Sequence, residues 1–176
     1  YGFGVDWWAK TIDTRPYLSA AGPGWVAVSK QPMPMTADHV TYKPLGDDFL
    51  LRGWSFQQSA AEFVITLCWQ VARPVDVDYS TFTHLATRPV VTEPGQLVAS
   101  SDHDVPVDGW HPTSRWLPEE TVCDSHKISL ARDADFQHVI AGMYTRADDG
   151  SFHRLGSLRW ERDAGTWMLA RPGGQQ

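Results

Sequence analysis

A chain of 176 residues holds one domain, or one domain with an appended segment, and its 42% hydrophobic content with nine tryptophans and seven phenylalanines supplies a bulky core. The formal charge is −6 with no Lys/Arg cluster, which argues against a nucleic-acid partner. No apolar run approaches the roughly 20 residues that a membrane-spanning helix needs.

Tyr1-Gly2-Phe3-Gly4, Trp7-Trp8 and Arg15-Pro16-Tyr17 read as an irregular aromatic piece, with a short helical turn near Asp6. The chain opens without Met or a signal peptide, so it is expected to be a processed product or an excised piece of something longer. Trp7-Trp8 read as packing on the rest of the domain, or as an interfacial anchor, since indoles favour the headgroup region. After Gly22-Pro23-Gly24, Trp25 to Ser29 forms a short strand, ended by Gln31-Pro32-Met33-Pro34. A soft boundary falls here. Residues 1–36 are an N-terminal segment packing on a sandwich built by residues 37–176.

From Phe49 the strands recur regularly. Phe49 to Phe56 is the first. In FVITLCWQV, Ile65, Leu67, Trp69 and Val71 share one face while Thr66 and Gln70 share the other, the alternation of a half-buried strand. Arg73 to Asp78 cannot continue a ladder, because Pro74 lacks a donor and aspartates favour turns. Tyr79 to Leu85 is the next strand, with His84 read as a buried histidine whose hydrogen bond is satisfied. Gln96 to Ser101, Thr121 to Leu130 and His138 to Thr145 follow. A hairpin pairs Leu158–Glu161 with Thr166–Ala170. Short strands at about 8–12-residue spacing, without a long helical period, predict an all-β antiparallel jelly-roll-like sandwich.

The two cysteines are too few for a disulfide scaffold. Cys68 shares the Thr66/Gln70 side and Cys123 the Thr121/Ser125/Lys127 side, so both point away from the core. A buried bridge between sheets is not expected. A bridge is open only between neighbouring strands of one sheet.

Asp102 to Glu120 is the longest stretch without periodicity, and loops of that length are often functional. Trp110 and Trp116, beside Asp108, His111 and Arg115, form a candidate sugar platform: rings stack on a pyranose while polar neighbours bond its hydroxyls. Trp116 reads better as a plug closing one end of the sandwich, whereas Trp110 is open between exposure and burial. The Asp102-His103-Asp104 triplet, with His111, Asp124 and His126 further on, is the densest set of candidate metal ligands, led by Asp102 and Asp104, and Ca²⁺ is favoured over Zn²⁺ for it. The competing reading has Asp102 and Asp104 capping a turn, with no metal. No Gly-x-Ser-x-Gly or phosphate-loop motif occurs, so nothing in the chain specifies an enzyme.

The series FLLRGWSF, ITLCWQVARPVDVDYSTFTHL, VASSDHDVP, GWHPTSRWLPEETVCDSHKISL and VIAGMYTRADDGSFHRLG resembles one bacterial domain. This is the C-terminal extracytoplasmic β-sandwich of polytopic membrane glycosyltransferases of the dolichyl-phosphate-mannose mannosyltransferase-like superfamily, common in Chloroflexi-type bacteria. The resemblance covers about Phe49 to Gly156. Ile12-Asp13…Arg15-Pro16 through Gly24–Ser29 also resembles the stretch before that sandwich. The family pattern has Pro-Gly-Glu where this chain has Pro118-Glu119-Glu120, which implies a changed turn. The catalytic acidic residue of that family sits in a membrane domain this chain lacks. The resemblance therefore implies a non-catalytic accessory domain on the extracytoplasmic side of the membrane, recognising glycan or docking on a surface protein or its parent membrane domain. A structural interaction subunit and a metal-dependent enzyme using the Asp102–His126 region are the alternative readings.

Overall fold

The computed structural model describes residues 37–170 apart from Glu119 and Asp148, together with the backbone of two short strands, β1 (Leu18–Gly22) and β2 (Trp25–Val28), which pair antiparallel. The expected helical turn near Asp6 and the packing of Trp7-Trp8 lie outside the described residues.

Nine further strands build the domain: β3 (His39–Leu45), β4 (Phe49–Gln58), β5 (Glu62–Val71), β6 (Ser80–Ala86), β7 (Leu97–His103), β8 (Val122–Ser129), β9 (His138–Arg146), β10 (Phe152–Asp163) and β11 (Thr166–Leu169). They form two antiparallel sheets, in the orders β3-β4-β5-β8 and β11-β10-β9-β6-β7. The fold is an all-β sandwich. The β6–β7 hairpin nests inside the β5–β8 pair, and this nesting is the jelly-roll-like part of the topology.

The core follows from alternation. Ile65, Leu67, Trp69 and Val71 of β5 are all buried on the inner face, and across the sandwich they meet a layer that includes Leu85, Val139, Met143 and Trp160. A second, smaller cluster of Phe82, Ala86, Ile140 and Tyr144 lies apart from this layer. β5 and β6, adjacent in sequence, do not pair: the Arg73–Asp78 connection carries the chain from one sheet to the other.

Two features depart from the expected strands. β3 was not anticipated: Pro44 and a row of exposed residues hide it, and Leu45 is its one buried position. An edge strand tolerates both, because only one side of its ladder is used. β10 begins at Phe152, six residues before the expected Leu158, because it crosses Gly156 with a shift in register. Opposite, a Cβ on Gly142 of β9 would meet the Gly156 carbonyl oxygen at 2.1 Å, so only glycine allows these backbones to approach.

Cys68 and Cys123 form a disulfide. They are direct partners in the β5–β8 register, with Cα atoms 3.9 Å apart, so the bridge joins neighbouring strands of one sheet and does not span the core. Parity excluded the inward bridge and left this one open.

Candidate functional site

β7 and β8 are edge strands of opposite sheets, and they pack against each other at the open side of the sandwich. On β8 the buried positions are Val122, Asp124, His126 and Ile128, so the strand aims a carboxylate and an imidazole inward between two apolar residues. From the other sheet β6 brings Thr81, and β7 brings Ser101 and His103. The edge is therefore closed by polar side chains.

Asp124 is the hub, 1% exposed. Its Oδ1 accepts from His103 Nδ1 at 2.9 Å and from the Val107 backbone N–H at 2.9 Å, and its Oδ2 accepts from the Thr81 hydroxyl at 2.6 Å. His126 Nε2 lies 3.1 Å from the same Oδ2, but too obliquely for a hydrogen bond, so this buried nitrogen has no hydrogen-bond partner. His126 Nδ1 is 3.2 Å from Ser101 Oγ. The two imidazoles stack with centroids 4.1 Å apart and planes 10° from parallel.

Burial alone would push the Asp124 carboxyl up, but hydrogen bonds from His103 and Thr81, with the His126 imidazole close beside it, outweigh it and hold the group well below the usual carboxylate range. His103 is raised, chiefly by its hydrogen bond to Asp124, against the opposing effect of its own burial. Each group of this contact at the sandwich edge thus favours the charged form of the other.

Immediately beyond β7 the chain makes a tight turn, α1 (Pro106–Gly109), in which Val107 (φ 58°) and Asp108 (φ 52°) are left-handed ahead of Gly109 (φ 87°). A β-branched residue at positive φ is an outlier that surrounding contacts must impose. Here the Val107 N–H is captured by Asp124, and Gly109 N–H donates to Val105 O at 3.0 Å.

The rest of the loop is fastened to the scaffold. Thr113 Oγ1 donates to Val77 O and accepts from Tyr79 N–H, Ser114 N–H donates to Asp78 Oδ1, and Gln70 Nε2 donates to Pro118 O. His111 Nε2 meets Glu120 Oε1 at 2.8 Å, and Glu120 Oε2 accepts from Leu117 N–H. Trp116 is 2% exposed, packs edge-on against Phe49, and donates its Nε1–H to His111 O at 3.0 Å. It offers no face to a sugar. Its place is that of the core plug.

Of the other expected platform residues, His111 is buried against Glu120 and is turned away from solvent. Asp108, Trp110 and Arg115 are exposed. The expected ligands Asp102 and Asp104 do not belong to the one cluster of metal-binding type among the described residues, which is His103, Asp124 and His126. The strand pleat puts Asp102 on the face opposite to His103. There it accepts from Tyr144 Oη at 3.1 Å and lies 3.9 Å from His84 Nε2. His84 is thus a half-buried residue of that outer face, beside Phe82, and its burial lowers its pKa.

The Ser101–His126–Asp124 order is that of a proton relay, yet His126 is fully buried and Asp124 nearly so. The chain matches no protein-family model, no curated protein and no solved structure. Among the described residues no helix is long and apolar enough to cross a membrane.

Proposed function

We propose that this chain is a non-catalytic, extracytoplasmic accessory domain that recognises glycan through the loop between β7 and β8, like the soluble sandwich of the membrane glycosyltransferases it resembles. The observation that carries the reading is Trp110. Of the six tryptophans among residues 37–170, five are buried and Trp110 is 40% exposed. Among the described residues this is the one indole left at the surface, on a loop whose backbone is held from both sides. A loop backbone fixed before binding loses little entropy when a sugar stacks on its tryptophan. Asp108 and Arg115, also exposed on this loop, supply the carboxylate and guanidinium that hydrogen-bond hydroxyls.

Two further facts support the reading. The enclosed position of Ser101, His126 and Asp124 suits a structural network better than a reaction centre, which must admit substrate. The Cys68–Cys123 bridge fits an oxidising compartment, because disulfides persist outside the reducing cytosol. The test is a screen of purified domain against immobilised glycans, followed by calorimetric titration of any hit. Saturable binding supports the reading. Capture of a protein partner in place of any glycan would make the same loop a docking surface.

A further inference from the structure

We propose that His103, Asp124 and His126 form a zinc site, with His103 Nδ1, one Asp124 carboxylate oxygen and His126 Nε2 as its ligands. This stands independently of the glycan reading. The ligand atoms of the three residues lie within 4.8 Å of one another. A tetrahedral ion with bonds of about 2.0–2.1 Å needs donors about 3.3 Å apart. The carboxylate already touches both imidazoles, His103 Nδ1 at 2.9 Å from Oδ1 and His126 Nε2 at 3.1 Å from Oδ2, and binding would turn the rings out of their parallel stack so that both nitrogens face one ion.

The second observation is the state of His126 Nε2. If Nδ1–H donates to Ser101, the Nε2 lone pair has no donor to accept from and a carboxylate oxygen sits 3.1 Å away, a crowding of electron density that a positive charge at this nitrogen would relieve. If Nε2 carries the proton, that N–H has no in-line acceptor. Either neutral tautomer leaves a fully buried nitrogen unsatisfied, which is costly. A cation accepting that lone pair removes the conflict.

The surroundings fit as well. Ser101 Oγ lies 3.2 Å from the far nitrogen of His126, the outer-shell contact that orients a ligating imidazole. Two imidazoles and one carboxylate suit zinc, whereas calcium takes six to eight oxygens. His103 keeps about 16% of its side chain at the surface and gives an ion its way in.

The test uses untagged chain stripped with chelator, then challenged with Zn²⁺ against a chromophoric chelator. The expected result is one zinc per chain, with affinity in His103→Asn falling by more than the roughly 10–100-fold that loss of an outer-shell partner costs. No zinc retained by folded wild type, or equal affinity in a folded His103→Asn, would overturn the proposal. If that variant does not fold, assigned ring-nitrogen spectra of zinc-loaded wild type decide. His103 Nδ1 and His126 Nε2 should move to metal-bound shifts, and movement at other histidines in their place would overturn the assignment.

Discussion

The Val107 backbone N–H donates to Asp124 Oδ1 at 2.9 Å, and this one bond ties a strained loop residue to a carboxylate in the core. Val107 holds φ 58° at about 1–3 kcal/mol of strain, and persists only while its surroundings enforce that geometry. Asp124→Ala strands the Thr81 hydroxyl, the Val107 amide and the His103 imidazole at once. The expected loss is about 3–5 kcal/mol, as for removing one partner of a buried pair. Hydrogen exchange at Val107 and Gly109 should accelerate more than exchange in β5. Denaturant titration with amide exchange reads both, and unchanged loop protection would mean that Asp124 does not hold the turn.

Trp69 is fully buried at the centre of the core. Trp69→Ala should cost about 3–5 kcal/mol, measured as a shift in denaturant midpoint. An unshifted midpoint would contradict the strand register.

For the Cys68–Cys123 bridge, thiol counting under denaturing, non-reducing conditions should find no free cysteine. The bridge closes a loop with a sequence separation of 55. Chain-entropy arguments give such a loop up to about 4 kcal/mol. Cys68→Ala with Cys123→Ala should therefore lower stability by as much as that. Two free thiols in the wild type would refute the pairing.

The pH dependence of metal-free protein follows from signs. His103 has a raised pKa in the fold, so its contribution is complete below about pH 6.5 and is lost as pH rises through the folded value. Asp124 is depressed, so its contribution is present above the ordinary carboxylate range and is lost as pH falls below about 4. His84 and His138, lowered by burial, act in the opposite sense to His103: their contribution is present above about pH 6.5 and fades as pH falls. Comparing wild type with His103→Asn isolates the first effect. The difference in Tm between them should shrink from pH 6 to pH 9, and a constant difference would rule out the imidazolium.

The sandwich was legible where alternation was strong. Ile65 to Val71 announced their buried face, and the Arg162–Gly165 turn announced the last hairpin, whose Ala164 and Gly165 take positive φ. The β3 strand was not legible, because an edge strand carrying Pro44 has little pattern to show. Nor was the crossing between β5 and β6, since partner choice among strands depends on distant residues. The loop was marked by its lost periodicity, but burial separated Trp110 from Trp116, and nothing local distinguishes the two. The members of the His103–Asp124–His126 cluster stand among the candidate ligands of the sequence, and strand parity marks two of them. In Val122-Cys123-Asp124-Ser125-His126-Lys127-Ile128, Asp124 and His126 share parity with Val122 and Ile128, so polar residues lie on the core face. Their meeting with His103 depends on two sheet edges closing together, which no spacing along the chain encodes.

The most direct measurement of the recognition loop is calorimetric titration of wild type and Trp110→Ala with the glycan that binds best in the array screen. Trp110 belongs to neither buried core cluster, so the variant should keep the wild-type fold. Stacking by one aromatic ring contributes about 1–3 kcal/mol, so the account predicts affinity weakened by about 5- to 150-fold. Equal affinity in the two proteins, with the fold intact, would contradict it and move recognition away from this loop.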